Sequence, residues 1–157
     1  MLKFAANLTM LFNEVPFLER FEMASKHGFK YVEYLFPYEW PADELAKKLS
    51  EFNLQQVLFN LPAGNWDDGE RGIACLPDRK AEFQESVSFA IEYANALQVS
   101  QVNCLAGIRP NERNDEELWD TLIDNISYAA ARLQDHNISL MIEPIISKID
   151  MPGFFID

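Results

Sequence analysis

Glu143 stands in an unusual place for a carboxylate, directly after the apolar run Leu140, Met141 and Ile142 and directly before Pro144. The apolar run predicts a buried strand, and the proline ends its ladder because it has no N–H to donate. A carboxylate at such a strand end is expected to be partly removed from water, which raises its affinity for a proton. Glu143 is therefore a candidate proton-transfer group and a candidate ligand for a divalent cation. A salt-bridged strand terminus is the alternative.

Four more polar residues lie in or near the C-terminal halves of predicted strands: Asn7, Glu33, Asn60 and Asn103. Strands that are covered on both faces usually form nearly continuous apolar runs. A polar residue in each of five successive strands therefore predicts a shared polar pocket, although any single asparagine could instead bond a neighbouring backbone. Glu33 is ambiguous because it lies in the middle of YVEYLF, where a buried structural acid that pairs elsewhere is the alternative.

Strands and helices alternate strictly along the chain, as the changing hydrophobic period shows. This pattern predicts parallel strands joined by right-handed crossovers, which is an α/β fold. Asn114, with Glu117 three residues later, predicts a capping box at the start of the last helix. The predicted strands are 2–8, 31–36, 56–61, 102–105 and 138–142, and the predicted helices are 16–27, 41–52, 77–97 and 114–134.

Ligands of such folds bind at the carboxyl ends of the strands. His27 and His136 lie in helix-to-strand turns, so we expect them at the opposite end of the sheet and outside any catalytic site. The longest irregular segment is 63–76, which is expected to be functional or mobile because loops of this length are uncommon in compact domains. It contains Trp66 and Arg71.

The composition narrows the classes of function. A chain of 157 residues with 48% hydrophobic content predicts one domain over 1–157 with a real core. The net charge of -12 argues against binding to nucleic acid or to an anionic membrane surface. No apolar run approaches the roughly 18 residues of a membrane span. Cys75 and Cys104 do not have metal-site spacing, so a reduced, cytoplasmic protein is the simplest interpretation.

Four segments in order resemble hydroxypyruvate isomerases of the xylose isomerase-like barrel group. They are AANLTMLFNEVPFLERF (5–21), NLPAGNWDDGERGIACLPDR (60–79), VNCLAG (102–107) and IEPI (142–145). The resemblance covers essentially the whole chain, and the segment 60–79 is its most specific part. It implies a (β/α)8 TIM barrel, of which this chain would form an incomplete barrel of about five strands and four helices.

The resemblance implies isomerisation of hydroxypyruvate to tartronate semialdehyde, with two glutamates as proton donor and acceptor. The first corresponds to Glu143, and the second has no counterpart in this chain. Related barrels often hold a divalent cation with such a glutamate, so Mg²⁺ or Mn²⁺ bound to Glu143 is the candidate cofactor, although the family's need for one stays open. Ile146 departs from the family, which usually has asparagine there.

A small anionic substrate needs a positive group or N–H donors. Arg71 in GERG is the first candidate, a surface arginine paired with Glu70 or Asp68 being the alternative, and Arg109 is a weaker one. Asn60, Asn103 and Asn7 are the predicted neutral substrate-binding residues. Trp66 either closes over the substrate or packs the loop.

Three alternatives to hydroxypyruvate isomerisation stay open. The first is isomerisation of another small 2-oxo sugar acid. The second is a metal-dependent endonuclease on the same barrel, which the net charge and the lack of histidine ligands disfavour. The third is a non-catalytic fragment that is stable only with a partner. A homo-oligomer is compatible with each of them.

Overall fold

The computed structural model describes residues 2–147 and 149–156, which form a sheet of five parallel strands. The strand order follows the chain, so each strand pairs with the next, and the first and last strands form the edges. Within the described residues the sheet is therefore open rather than closed. The strands are β1 (Ala5–Asn7), β2 (Tyr31–Glu33), β3 (Gln55–Asn60), β4 (Gln101–Cys104) and β5 (Ser139–Ile142). The predicted α/β fold with parallel strands is confirmed.

Four α-helices connect the strands, as predicted. They are α1 (Arg20–Lys26), α2 (Ala42–Glu51), α3 (Lys80–Leu97) and α4 (Asp115–Gln134). The predictions of α-helix over 16–27 and 77–97 were too long at their starts, because 3-10 turns at Phe17–Glu19 and Pro77–Arg79 precede α1 and α3. Tight 3-10 turns are frequent at helix N-termini, and proline fits such a first turn because it needs no N–H partner there.

Two predicted strands are shorter in the structure. The strand predicted over 2–8 is reduced to β1, because Leu2 and Phe4 are 83% and 70% exposed and lie outside the packed layers. The strand predicted over 31–36 ends after Glu33, where the pairing with β3 shifts register between Val32 and Glu33. Apolar composition alone therefore overestimated both lengths.

The predicted buried faces and helix ends are largely correct. Leu45 and Leu49 of α2 are buried, as are Phe83, Val87, Ala90, Ile91 and Ala94 of α3. The Asn114 side chain caps α4 by accepting the Glu117 N–H at 2.8 Å. The second half of the predicted capping box is absent, because the Glu117 carboxylate pairs with Arg113 at 3.0 Å instead.

The helix termini place both histidines where the sequence predicted. His27 follows α1, and its Nδ1 lies 2.8 Å from the Met23 carbonyl oxygen. His136 follows α4, with its Nδ1 3.3 Å from Asn95 Nδ2. Both precede strands, so they lie at the amino ends of β2 and β5. Across the described residues, none of the helices has the length and apolar character needed to span a membrane.

Cys75 and Cys104 are buried free thiols, and burial raises their pKa from 9.0 to about 11 and about 12, respectively. We expect neither thiol to react with iodoacetamide at pH 8 in the folded protein, and both to react in urea, as counted by mass spectrometry. Both thiols bind their proton more tightly in the folded protein than in the unfolded one, so their protonation favours the folded state. This contribution to the free energy of unfolding is present below pH 9 and is lost as the pH rises through 11 to 12. If the two thiols of the folded protein reacted with iodoacetamide as fast as they do in urea, they would not be buried as described.

Candidate active site

A cavity of about 550 Å³ is lined by residues at or near the carboxyl ends of all five strands. Asn7 ends β1, Glu33 ends β2, Asn60 ends β3, Asn103 lies in β4 and Glu143 follows β5. The predicted shared polar pocket is therefore present in the structure, at the end of the sheet where parallel folds bind ligands. Much of the remaining wall is apolar.

The register of the strands explains why these polar side chains meet. Asn7 pairs with Glu33 across β1 and β2, and Asn60 pairs with Asn103 across β3 and β4. Residues in register on neighbouring parallel strands project to the same face, so each pair is brought within bonding distance. Asn7 Nδ2 donates to Glu33 Oε1 at 3.1 Å, and Asn103 Nδ2 donates to Asn60 Oδ1 at 3.0 Å.

Asn103 also connects this pair to Glu143. Its Nδ2 donates to Glu143 Oε2 at 3.4 Å, a long hydrogen bond. Both asparagines are buried, at 3% and 5% exposure. Asn60 Nδ2 and Asn103 Oδ1 have no partner within 2–147 and 149–156, and neither is fully enclosed. One amide donor and one amide acceptor are thus available to a ligand beside Glu143.

Glu143 itself is exposed, so the expected partial removal of this carboxylate from water is wrong for this structure. The reason is that β5 is an edge strand, in which Ser139, Met141 and Ile142 are exposed. The alternative of a salt-bridged terminus is also not found, since no cationic side chain of the described residues pairs with Glu143. Its partner is the neutral amide of Asn103.

The structure places Glu33 at the cavity. This half-buried carboxylate lies on the same wall as Asn7, from which it accepts a hydrogen bond. Its role, structural or functional, stays open. The described residues of the cavity wall include two carboxylates, Glu33 at the end of β2 and Glu143 after β5.

Arg71 does not line this cavity but contacts Trp66, which does. Its Nη1 donates to the carbonyl oxygens of Trp66 and Glu70 at 2.8 and 2.7 Å, and its guanidinium lies 4.0 Å from the centre of the Trp66 ring. Trp66 is the residue that lines the cavity, where it packs edge-on against Phe36. The substrate contact of Arg71 stays a prediction, and this geometry favours an indirect role through Trp66.

The weaker candidate Arg109 is also occupied elsewhere, in an ion pair of 2.8 Å with Asp115. No lysine, arginine or histidine is among the described residues that line the cavity. The expected positive group for a substrate carboxylate is therefore not found among the described residues of the cavity wall. In that part of the wall, amide and backbone donors are the groups that remain.

The loop 63–76 is anchored in its second half. Ile73, Ala74 and Cys75 are buried, and the Asn125 side chain donates to the Ala74 carbonyl at 2.9 Å. Gly72 adopts φ +110° and lies against the loop after β4, where a Cβ would be 2.2 Å from the Leu105 carbonyl oxygen. Ordering of the loop on ligand binding stays a prediction, and these contacts favour its first half, 64–71, as the part that would move.

Part of the cavity wall was missed by sequence reasoning. Ile145 and Met151 line it from the segment after β5, which turns back and forms an antiparallel bridge between Phe154 and Ile108. Phe155 N–H also donates to the Gly107 carbonyl at 2.9 Å. These contacts join loops far apart in sequence, and no local periodicity signals them.

A divalent cation in a protein is usually held by several oxygen ligands that come together at one point. Among the described residues, no three His, Cys, Asp or Glu side chains come together in a group that could hold a metal ion. The two cavity carboxylates, Glu33 and Glu143, are each bonded to an asparagine. These residues do not by themselves form a metal centre, so Glu143 as a ligand of Mg²⁺ or Mn²⁺ stays a prediction.

Comparison with known proteins places this geometry in a family. Residues 21–157 match the family described as "Xylose isomerase-like TIM barrel". The chain is 49% identical to a hydroxypyruvate isomerase of Escherichia coli over 98% of its own length and 59% of that relative. It is 48% identical to a 2-oxo-tetronate isomerase of Pectobacterium atrosepticum, over 94% of the chain and 56% of the relative.

A crystal structure titled AP endonuclease, family 2, from Brucella melitensis superposes with a TM-score of 0.95 at 46% identity. The match covers 99% of this chain and 60% of that structure. The chain therefore spans less than two thirds of the length of the relatives it matches. With residues 21–157 matched by the family and the five-strand parallel sheet in place, the chain belongs to the xylose isomerase-like TIM barrel family.

Proposed function

We propose that the protein is an isomerase of small 2-oxo sugar acids, and that it interconverts hydroxypyruvate and tartronate semialdehyde. The observation that carries the proposal is Glu143, a carboxylate held at the cavity by the amide of Asn103. The names of the matched E. coli and P. atrosepticum relatives support an isomerase of this substrate class.

The reaction transfers a proton between adjacent carbons. In the proposed mechanism the Glu143 carboxylate takes a proton from C3 of hydroxypyruvate, and the electron pair of the broken C–H bond forms the C2–C3 double bond of an enediolate. The carbonyl oxygen at C2 gains the negative charge. A proton is then delivered to C2, the C3 hydroxyl proton passes to the negatively charged oxygen at C2, and C3 becomes the aldehyde carbon. A positioned carboxylate suits this work because the same group can accept and return a proton.

The asparagines beside Glu143 fit supporting roles. The available Nδ2 of Asn60 could donate to the oxygen on which charge develops, and donors fixed before reaction stabilise such charge effectively. The Asn103 amide holds the Glu143 carboxylate and so limits its rotation. Both roles are proposals that follow from the hydrogen-bond pattern.

The test uses a chimera that joins residues 1–157 to the part of the E. coli relative that lies outside the match. Purified chimera is incubated with hydroxypyruvate, and tartronate semialdehyde is followed by ¹H NMR, with the E. coli relative as the positive control. We expect the chimera to convert hydroxypyruvate. A folded chimera, judged by circular dichroism and a cooperative melt, that converts neither hydroxypyruvate nor a four-carbon 2-oxo acid would refute the proposal.

A second function deserves a direct comparison because the similar Brucella structure is titled an endonuclease. The net charge of -12 and the absence of cationic side chains among the described cavity residues oppose binding of a phosphate backbone. We expect no retardation of an abasic-site duplex at 50 mM salt in a gel-shift assay.

We also propose a cytoplasmic location, which two free thiols favour.

A further inference from the structure

We infer that Glu33, held by Asn7, binds a hydroxyl group of the substrate on a carbon beyond the two that exchange a proton. The inference rests on the proposed function for its substrate class. It assigns to this chain a residue that selects four-carbon 2-oxo sugar acids over the three-carbon hydroxypyruvate.

The positions of the two carboxylates argue for separate roles. Glu33 ends β2 and Glu143 follows β5, so three strand spacings, about 14 Å along the sheet, separate their backbones. Both side chains nevertheless line one cavity. A ligand in that cavity can therefore present its reacting carbons to Glu143 and a more distant group to Glu33.

The hydrogen bonds around Glu33 leave one oxygen for a ligand. Asn7 is fixed at both ends of its amide, because its Oδ1 accepts the Thr9 N–H at 3.0 Å and its Nδ2 donates to Glu33 Oε1 at 3.1 Å. Glu33 Oε2 has no hydrogen-bond partner among the described residues. The carboxylate is thus oriented by Asn7 and keeps one free acceptor.

The chemistry of that acceptor selects the group it can bind. An ionised carboxylate only accepts hydrogen bonds, so it recognises a hydroxyl donor and repels the carboxylate of a sugar acid. The described cavity wall contains no cation that would offset this repulsion. In the inferred orientation the hydroxyl-bearing end of the substrate lies toward Glu33, where it can donate to Oε2, and the reacting carbons lie toward Glu143.

This arrangement separates the two substrate lengths. Hydroxypyruvate has one hydroxyl group, on the carbon from which Glu143 takes the proton. A 3,4-dihydroxy-2-oxobutanoate has a further hydroxyl on C4, which is free to donate to Glu33. Because hydrogen bonds to charged groups are the stronger class, the extra contact should be visible in affinity.

The test measures binding of unreactive analogues to residues 1–157 by isothermal titration calorimetry or ligand-observed NMR. The analogues are D-erythronate and D-threonate, with four carbons, and D-glycerate, with three. We expect one of the four-carbon acids to bind about tenfold more tightly than glycerate. Equal affinities for all three acids would overturn the inference.

Variants assign the difference to Glu33. Glu33→Met keeps the length but removes both oxygens, so the four-carbon advantage is expected to disappear. Gln101→Met, an equivalent change on the wall at the start of β4, is the matched control and should preserve it. If Glu33→Met does not fold, Glu33→Gln decides, because a neutral amide should reduce the advantage. An advantage unchanged by the Glu33 variant that folds would overturn the inference.

Turnover separates failure of the inference from failure of the proposed function. In the chimera, kcat/KM for the four-carbon acid relative to hydroxypyruvate should fall about tenfold in the Glu33 variant. Turnover of both substrates with an unchanged ratio would remove Glu33 from specificity and leave the isomerase intact. Turnover of neither substrate would refute the isomerase, while the binding ratio would still decide whether Glu33 recognises the hydroxyl.

Discussion

Glu143→Gln is expected to lower kcat for isomerisation by at least about a hundredfold, since proton transfer by a positioned side chain usually contributes this much or more. Glutamine keeps the shape of the side chain and can still bond Asn103, but it cannot accept the substrate proton. KM should change little, because the carboxylate acts mainly on the reacting C–H bond. The measurement is steady-state turnover in the chimera by NMR.

A second readout isolates the proton-abstraction step. In D₂O the unmodified chimera should exchange the C3 hydrogens of hydroxypyruvate for deuterium, and the Glu143 variant should not. Glu112→Gln, an exposed glutamate in the loop after β4, is the control for general loss of negative charge. Activity of Glu143→Gln within about tenfold of the parent would show that another group is the base.

Gly72→Ala is expected to destabilise the fold by at least about 3 kcal/mol, a loss in the upper range for single substitutions. Two causes add. The backbone at φ +110° disfavours any L side chain, and the new Cβ would be 2.2 Å from the Leu105 carbonyl oxygen. Backbone cannot yield as a flexible side chain can, so the loop 63–76 must move away from the loop after β4. Urea unfolding followed by circular dichroism gives the free energy.

Gly69→Ala separates the two causes. Gly69 has a similar φ of +93°, but its Cβ would meet nothing within 4 Å. This control should therefore cost about 1 kcal/mol, for backbone strain alone. Equal losses in the two variants would mean that the close approach of Gly72 to Leu105 contributes nothing to stability.

The sequence predicted the convergence of Asn7, Asn60, Asn103 and Glu143 because it depends on a local rule. Each is a polar residue at or after the end of an apolar strand, and parallel topology brings such ends together. The alternation that fixed this topology is also local, as were the inward faces of α2 and α3.

Other features depend on distant contacts and could not be predicted in the same way. The stacking of Arg71 on Trp66 depends on how the loop closes, and the exposure of Glu143 depends on what lies beside β5. The contribution of Met151 to the cavity requires the segment after β5 to return to the loop after β4. The strand length predicted over 2–8 was also wrong, because no neighbouring element within the described residues covers the apolar residues at its start.

The edge position of β5 couples assembly to the environment of the candidate base. Its outer side presents main-chain donors and acceptors for strand addition, next to exposed Met141 and Ile142. A strand supplied by further polypeptide, or by a second copy in a homo-oligomer, could pair there in parallel. The same pairing would shield Glu143 from bulk water, so the reactivity of this carboxylate would depend on whether another strand is paired with β5.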